Sequence, residues 1–380
     1  MRLHNVRVLS QDGISPPTTI HLPVDDAADR DASGLILSPG FMDLHAHLRD
    51  PGYPEKETLA SGAASAAFGG FTHIVAMANT NPVTDTPERL QQVVGRAGAL
   101  PVRLSFVGAL TVGLQGRALT DIAGLRVAGA VALSDDGRHA MEASLLRRAL
   151  QGAAEAGLPV FIHAQKETLG GSPDAEAVAV AEAIEVLQDV AGARLHIQHV
   201  STSVAVALIR EAKQRRLRVT AEVTPHHLAL TSADVATMGP LARVNPPLRS
   251  MEDREALRQA LVDGVIDAVA TDHAPHEMAA KAAGAPGFHG FETALAVLLG
   301  LGFDERVLYR ACVEQPRRIT GLPIEDDWIL FDPDLEWTVE SSSLRSRGKN
   351  SPFLGRRLRG RVVMTVCQGQ ILFERMVQRV

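Results

Sequence analysis

The segment FMDLHAHLRDPG (41–52) begins as an apolar strand and ends on reactive side chains. Phe41, Met42 and Leu44 fit a short buried strand, with Gly40 before it and the turn residues Asp50, Pro51 and Gly52 after it. His45 and His47 fall at its carboxyl end. They are two apart, so on an extended backbone both imidazoles face the same side. Seven further strand candidates follow: THIVAMA (72–78), VRLSFVG (102–108), AVALS (130–134), LPVFIH (158–163), RLHIQHV (194–200), RVTAEV (218–223) and IDAVAT (266–271). Amphipathic helical patterns lie between most of them, including KETLASGAASAAF (56–68), MEASLLRRALQGAAEA (141–156), DAEAVAVAEAIEVLQDV (174–190), SVAVALIREAKQRR (203–216) and FETALAVLLGL (291–301). Eight strands alternating with helices over about 260 residues predict an α/β protein with a (β/α)8 TIM barrel.

The barrel is expected over residues 41–325. The ends read differently. Residues 1–40 hold the short strands RLHNVRVLS, TTIHLPV and GLILSPG, and residues 326–380 hold DWILFDP, EWTVE and RVVMTVCQGQILFERMV. Neither end has enough apolar surface for its own core, so the two are expected to pair into a small β-sandwich beside the barrel. The basic, turn-rich stretch SSSLRSRGKNSPFLGRRLRG (341–360) reads as a solvated loop.

Composition narrows the function. Of 380 residues, 46% are apolar and 22% charged, which excludes general disorder. The net charge of -6 argues against nucleic-acid or anionic-membrane partners. No apolar run reaches the length of a membrane span, and the opening MRLHNVRVLSQDG has no signal-peptide core, so a cytoplasmic protein is expected. Two unpaired cysteines, Cys312 and Cys367, offer neither a disulfide framework nor a thiolate metal site. No glycine-rich phosphate fingerprint occurs.

Barrel enzymes carry their chemistry at the carboxyl ends of the strands. His45 and His47 end the first strand, Asp136 follows the fourth, His163 ends the fifth, His199 ends the sixth and Asp272 follows the eighth. A lone histidine at a strand end is usually a packed residue. Six ionisable groups on one rim are harder to explain by packing, because buried charge is costly unless paired or coordinated. Imidazole and carboxylate suit zinc when thiolate is absent, and six ligands exceed the three that one catalytic zinc needs. A two-metal centre with one bridging carboxylate accounts for the excess. Among the other histidines, His4, His21 and His139 read as surface residues, His73 begins a strand, His196 alternates away from His199, and His289 lies in a glycine-rich loop. His226 and His227 face the rim as candidate supporting or substrate contacts, and His273 reads as structural. Ser201 and Thr202 open a helix and read as caps, not nucleophiles.

GFMDLHAHLRDPG (40–52), MANTNPVTDT (77–86), SDDG (134–137), HVST (199–202), AEVTPHHL (221–228), NPPLRS (245–250) and ATDHAPH (270–276) resemble the type I bacterial dihydroorotases of the amidohydrolase superfamily. The resemblance runs from about residue 34 to 325 and more weakly to the end. It implies a binuclear zinc centre and the reversible, zinc-dependent cyclisation of N-carbamoyl-L-aspartate to (S)-dihydroorotate in pyrimidine biosynthesis. Carried over by position, His45, His47 and Asp272 would hold one zinc and His163 and His199 the other. Asp136 and a hydroxide would bridge the two, and Asp272 would act as general acid and base. His47, Arg49, Asn79, Asn245, His276 and Gly287 match substrate-contacting positions; the family's Phe-Gly pair aligns only loosely with Pro286 and Gly287. HAQKE (163–167) stands where the family has HCED, and the segment from His163 to His199 is short for the family. The resemblance also implies a small-molecule substrate and a homo-oligomer, and it allows association with aspartate transcarbamoylase.

Two other readings share these motifs. Hydantoinases, dihydropyrimidinases and allantoinases have the same barrel but bridge their metals with a carboxylated lysine at the end of the fourth strand. No lysine occurs from residue 57 to 165. Inactive dihydroorotase-like chains that scaffold aspartate transcarbamoylase lose metal ligands, whereas all six positions are filled here.

Overall fold

The computed structural model describes residues 1–24, 26, 28–137 and 142–375. His139 lies outside the described residues. Eight parallel strands form the barrel: β1 (Phe41–Ala46), β2 (Phe71–Ala76), β3 (Arg103–Ala109), β4 (Ala130–Ser134), β5 (Val160–Ile162), β6 (Leu195–Ile197), β7 (Val219–Val223) and β8 (Ala268–Val269). Each is hydrogen-bonded to the next in sequence. All eight coincide with the strands expected from hydrophobic patterning. The seam between β8 and β1 is narrow, a single bridge between Ala46 and His273 in which His47 N donates to His273 O at 2.7 Å. Asp43 strengthens it by accepting from Thr271 N at 2.9 Å and from the Thr271 hydroxyl. Burial pushes the Asp43 carboxyl up to about 7 against those hydrogen bonds.

Alternation along the strands sorts the side chains into two layers. Met42, Leu44, Val75, Val107, Ala132, Phe161 and Ala268 pack into one cluster inside the ring. Phe41, Ile74, Phe106, Val160, Leu195 and Val219 belong to the larger cluster shared with the helices. Caps set where helices begin: the Thr202 hydroxyl accepts from Ala205 N, as expected, at the start of Ser203–Gln214. Ser201 does something else, giving both its N–H and its hydroxyl to buried Glu176.

A second eight-stranded sheet draws on both chain ends. The strand Ile36–Pro39 pairs antiparallel with Trp328–Thr338, with Leu37 opposite Leu330. The strand Arg2–Ser10 is shared: its first half pairs with Thr18–His21 and Asp29–Asp31, its second half with Gly13–Ile14 and Ile36–Pro39. Leu3, Val6, Leu22, Leu37, Leu330 and Val366 fill its interior.

The stretch 341–360 is not the solvated loop its composition suggests. Leu344, Ser346, Asn350, Ser351 and Phe353 are buried. The reason is that two barrel carboxylates need donors that the loop supplies. Glu292 Oε1 accepts from Arg345 N at 2.8 Å and Ser346 N at 3.0 Å. Glu57 accepts from the Ser346 hydroxyl at 2.5 Å and Arg347 N at 3.1 Å. The loop's charged side chains alternate outward while its backbone satisfies buried charge.

Candidate metal centre

The six strand-end residues converge on one rim, and all are buried. Asp136 is at the middle, and its two oxygens face different histidine pairs. Oδ2 is 3.4 Å from His45 Nε2 and 3.3 Å from His47 Nε2. Oδ1 is 3.5 Å from His163 Nδ1 and 3.6 Å from His199 Nε2. Asp272 Oδ1 lies 3.1 Å from His47 Nε2 and 3.7 Å from His45 Nε2. Ligand atoms about 2.0–2.1 Å from a tetrahedral ion are roughly 3.3–3.4 Å apart, so most of these spacings are those of atoms arranged around cations. Two triads among the described residues can each hold an ion: His45, His47 and Asp136, and Asp136, His163 and His199. His45 Nε2 and Asp136 Oδ1 are buried and make no hydrogen bond, as expected of atoms kept for a metal. The donor set therefore fits divalent metal.

Three of the four imidazoles are turned by a hydrogen bond on the far nitrogen. His45 Nδ1 donates to Glu222 Oε1 at 2.7 Å, His47 Nδ1 to Asn79 Oδ1 at 2.9 Å and His163 Nε2 to Gln165 Oε1 at 2.9 Å. These bonds leave the near nitrogens as lone-pair donors toward the centre. Burial raises the Asp136 carboxyl, but the charge of His45 and the nearby rings of His163 and His199 outweigh it and hold the group well below the usual carboxylate range. Burial likewise opposes, and His45 and His196 overcome, a shift of Glu222 down to about 2.

Sequence reasoning missed Glu222, which binds both His45 and, at 3.1 Å, His196. The available signal was a lone acid inside the apolar strand RVTAEV, since a charge in a barrel wall must be paired. Gln165, in the segment that departs from HCED, was also missed. It is held by its own bond to Gly170 O at 2.7 Å.

Above the metal-facing atoms lies a cavity of about 230 Å³ lined by, among others, Arg49, Asn79, Asn245, His276 and Gly287. All the residues matched to substrate contacts are thus on one wall or another of the same space. Arg49 has φ +60 and makes no ion pair among the described residues; neighbouring Asp50 pairs instead with Arg96 at 2.6 Å. His199 and Asp272 also have positive φ, 32° and 47°. Backbone strain of this kind is kept where a side chain must be aimed. His276 Nε2 donates to Pro286 O at 2.8 Å, and Pro286 lines the cavity. Gly287 has φ +102, and a Cβ there would sit 2.7 Å from Ala274 Cβ, so a larger residue would displace the wall.

The remaining histidines are mostly scaffolding. His273 Nε2 donates to Glu57 at 3.1 Å while its Nδ1 accepts from Gly290 N at 3.1 Å. His227 Nε2 donates to Pro246 O at 3.1 Å, directly behind Asn245, and His226 packs on Phe288. Neither His226 nor His227 is among the residues lining the cavity.

Comparison with known proteins adds an independent line. A dihydro-orotase-like family profile matches residues 34–182. The dihydroorotase of Anaeromyxobacter dehalogenans (strain 2CP-1 / ATCC BAA-258) is 44% identical, covering 92% of this chain and 89% of its own. That of Thermus aquaticus is 43% identical, covering 90% of each. Among solved structures, the L-hydantoinase (dihydropyrimidinase) from Arthrobacter aurescens superposes with a TM-score of 0.87 at 26% identity, covering 100% of this chain and 97% of that one. A D-hydantoinase from Thermus sp. has a TM-score of 0.82 at 19% identity over 100% and 96%, a likeness of fold.

Proposed function

The chain belongs to the dihydroorotase family, cyclic amide hydrolases of pyrimidine biosynthesis, and on that premise we propose how its own residues carry out the reversible cyclisation of N-carbamoyl-L-aspartate to (S)-dihydroorotate. The observation that carries the reading is the carboxylate of Asp136, whose two oxygens divide between the pair His45 and His47 and the pair His163 and His199. It stands after the fourth strand, where the hydantoinase-type barrels use a carboxylated lysine, and no lysine occurs from residue 57 to 165.

The proposed metals are two zinc ions, one with His45, His47 and Asp272 and one with His163 and His199, with Asp136 shared. When bound, such a pair supplies a nucleophile by lowering the pKa of water from 15.7 to about 7 and polarises the carbonyl under attack. The chain's own groups do the rest. Asp272 takes the nucleophile's proton on its carboxylate and returns it to the departing ring nitrogen; in the cyclising direction it does the reverse. The Arg49 guanidinium, half-buried and without a carboxylate partner among the described residues, holds the substrate carboxylate as a planar fork of donors. Burial lowers its pKa while Asp272 and Asp136 oppose that change. Asn79 spends its Oδ1 on His47 and keeps its amide N–H groups for substrate. Asn245, His276 and Gly287 complete the wall.

Residues 1–40 and 326–380 are proposed as the two parts of one accessory β domain and 41–325 as the catalytic barrel. No helix among the described residues is long and apolar enough to cross a membrane. A cytoplasmic homo-oligomer is proposed, with aspartate transcarbamoylase as a candidate partner.

The zinc-loaded protein should turn over dihydroorotate much faster than hydantoin, dihydrouracil or allantoin under the same assay; faster turnover of any of those three would overturn the substrate assignment. Arg49→Lys should raise KM for dihydroorotate by about tenfold with a smaller change in kcat, because a point charge replaces a bidentate fork. An unchanged KM removes Arg49 from carboxylate binding.

A further inference from the structure

The short helix Met278–Ala282 sits in the connection between β8 and the helix Phe291–Gly300. It carries a lysine that the chemistry above does not use. Lys281 has no exposed surface and is among the largest fully buried side chains. No carboxylate pairs with it among the described residues. Its three N–H groups go to backbone carbonyls: Arg243 O at 2.5 Å, Gly287 O at 2.7 Å and Ala285 O at 3.1 Å. That saturates an ammonium, which has three donors.

A buried cation without an acid is costly, and an apolar side chain would fill the volume more cheaply. Burial, aided by Arg243, pulls the Lys281 ammonium down to about 8. What the lysine gains is geometry. Arg243 lies two residues before Asn245, and Ala285 and Gly287 flank Pro286. Asn245, Pro286 and Gly287 all line the catalytic cavity. Two other bonds tighten the same knot: Gly287 N donates to Arg243 O at 3.0 Å, and Asn350 Nδ2 donates to Gly287 O at 2.9 Å.

We propose that Lys281 is a positioning residue for substrate binding, drawing the segment before Asn245 and the segment around Pro286 together so that both meet the substrate. It touches no reacting atom and acts through the residues it holds. The inference rests on the reading of Asn245 and Gly287 as substrate contacts.

In the zinc-loaded full chain, Lys281→Met should raise KM for dihydroorotate by about tenfold or more, because three charge-assisted hydrogen bonds are lost, while kcat stays within about threefold and bound zinc is unchanged. Lys281→Gln, which keeps a neutral donor, should recover part of the lost KM and carries the test if the methionine variant does not fold. A folded variant with wild-type KM, or one that loses kcat alone, overturns the proposal. Loss of folding in both variants also overturns it, assigning the lysine to stability. Asn245→Ala, measured beside them, separates the premise from the inference. An unchanged KM there removes the contact assignment and the proposal with it. A raised KM there with an unchanged KM in Lys281→Met overturns the positioning role alone.

Discussion

Asp136→Ala is expected to lower kcat/KM for dihydroorotate by about 10³-fold or more and to reduce bound metal, read by elemental analysis of the purified protein. Among the described residues, Asp136 is the side chain that faces both histidine pairs, at 3.3–3.6 Å from four ring nitrogens. Removing it takes away the negative charge that faces both histidine pairs and leaves four imidazoles without a shared carboxylate. The variant should remain folded, because Asp136 lies beyond the end of β4 and its side-chain oxygens cap no backbone N–H among the described residues. Full activity with unchanged metal content in this variant would exclude a bridging role.

Asp272→Asn is expected to act on a different step. The amide preserves shape but cannot take up a proton, so kcat should fall by about 10²–10⁴-fold, with KM changing much less. Asp272 Oδ1 also approaches His47 at 3.1 Å, so some loss of metal affinity is expected too. Saturating zinc in the assay separates the two contributions. Activity restored to the wild-type level by added zinc would reduce Asp272 to a ligand and end its assignment as acid and base.

Much of the barrel was legible because its signal is local. Most strands are short apolar runs closed by a polar group, and even β8, only two residues long, was marked by the apolar run before Asp272. The metal-facing set was legible for the same reason, since strand ends are where such groups collect. What could not be read depended on partners far away in sequence. The loop 341–360 looks solvated until Glu57 and Glu292 are seen to need its N–H groups. Nothing in the sequence singles out Lys281; its place shows only where three carbonyls from two segments close around it. Glu222 belongs to a recognisable strand, but only the fold shows that it aims His45.

The brace from the C-terminal region has one further consequence. Asn350 accepts from His276 N at 2.9 Å and so steadies the cavity wall from far beyond the last barrel strand. A nascent chain leaving the ribosome therefore carries every metal-facing side chain before it carries this brace.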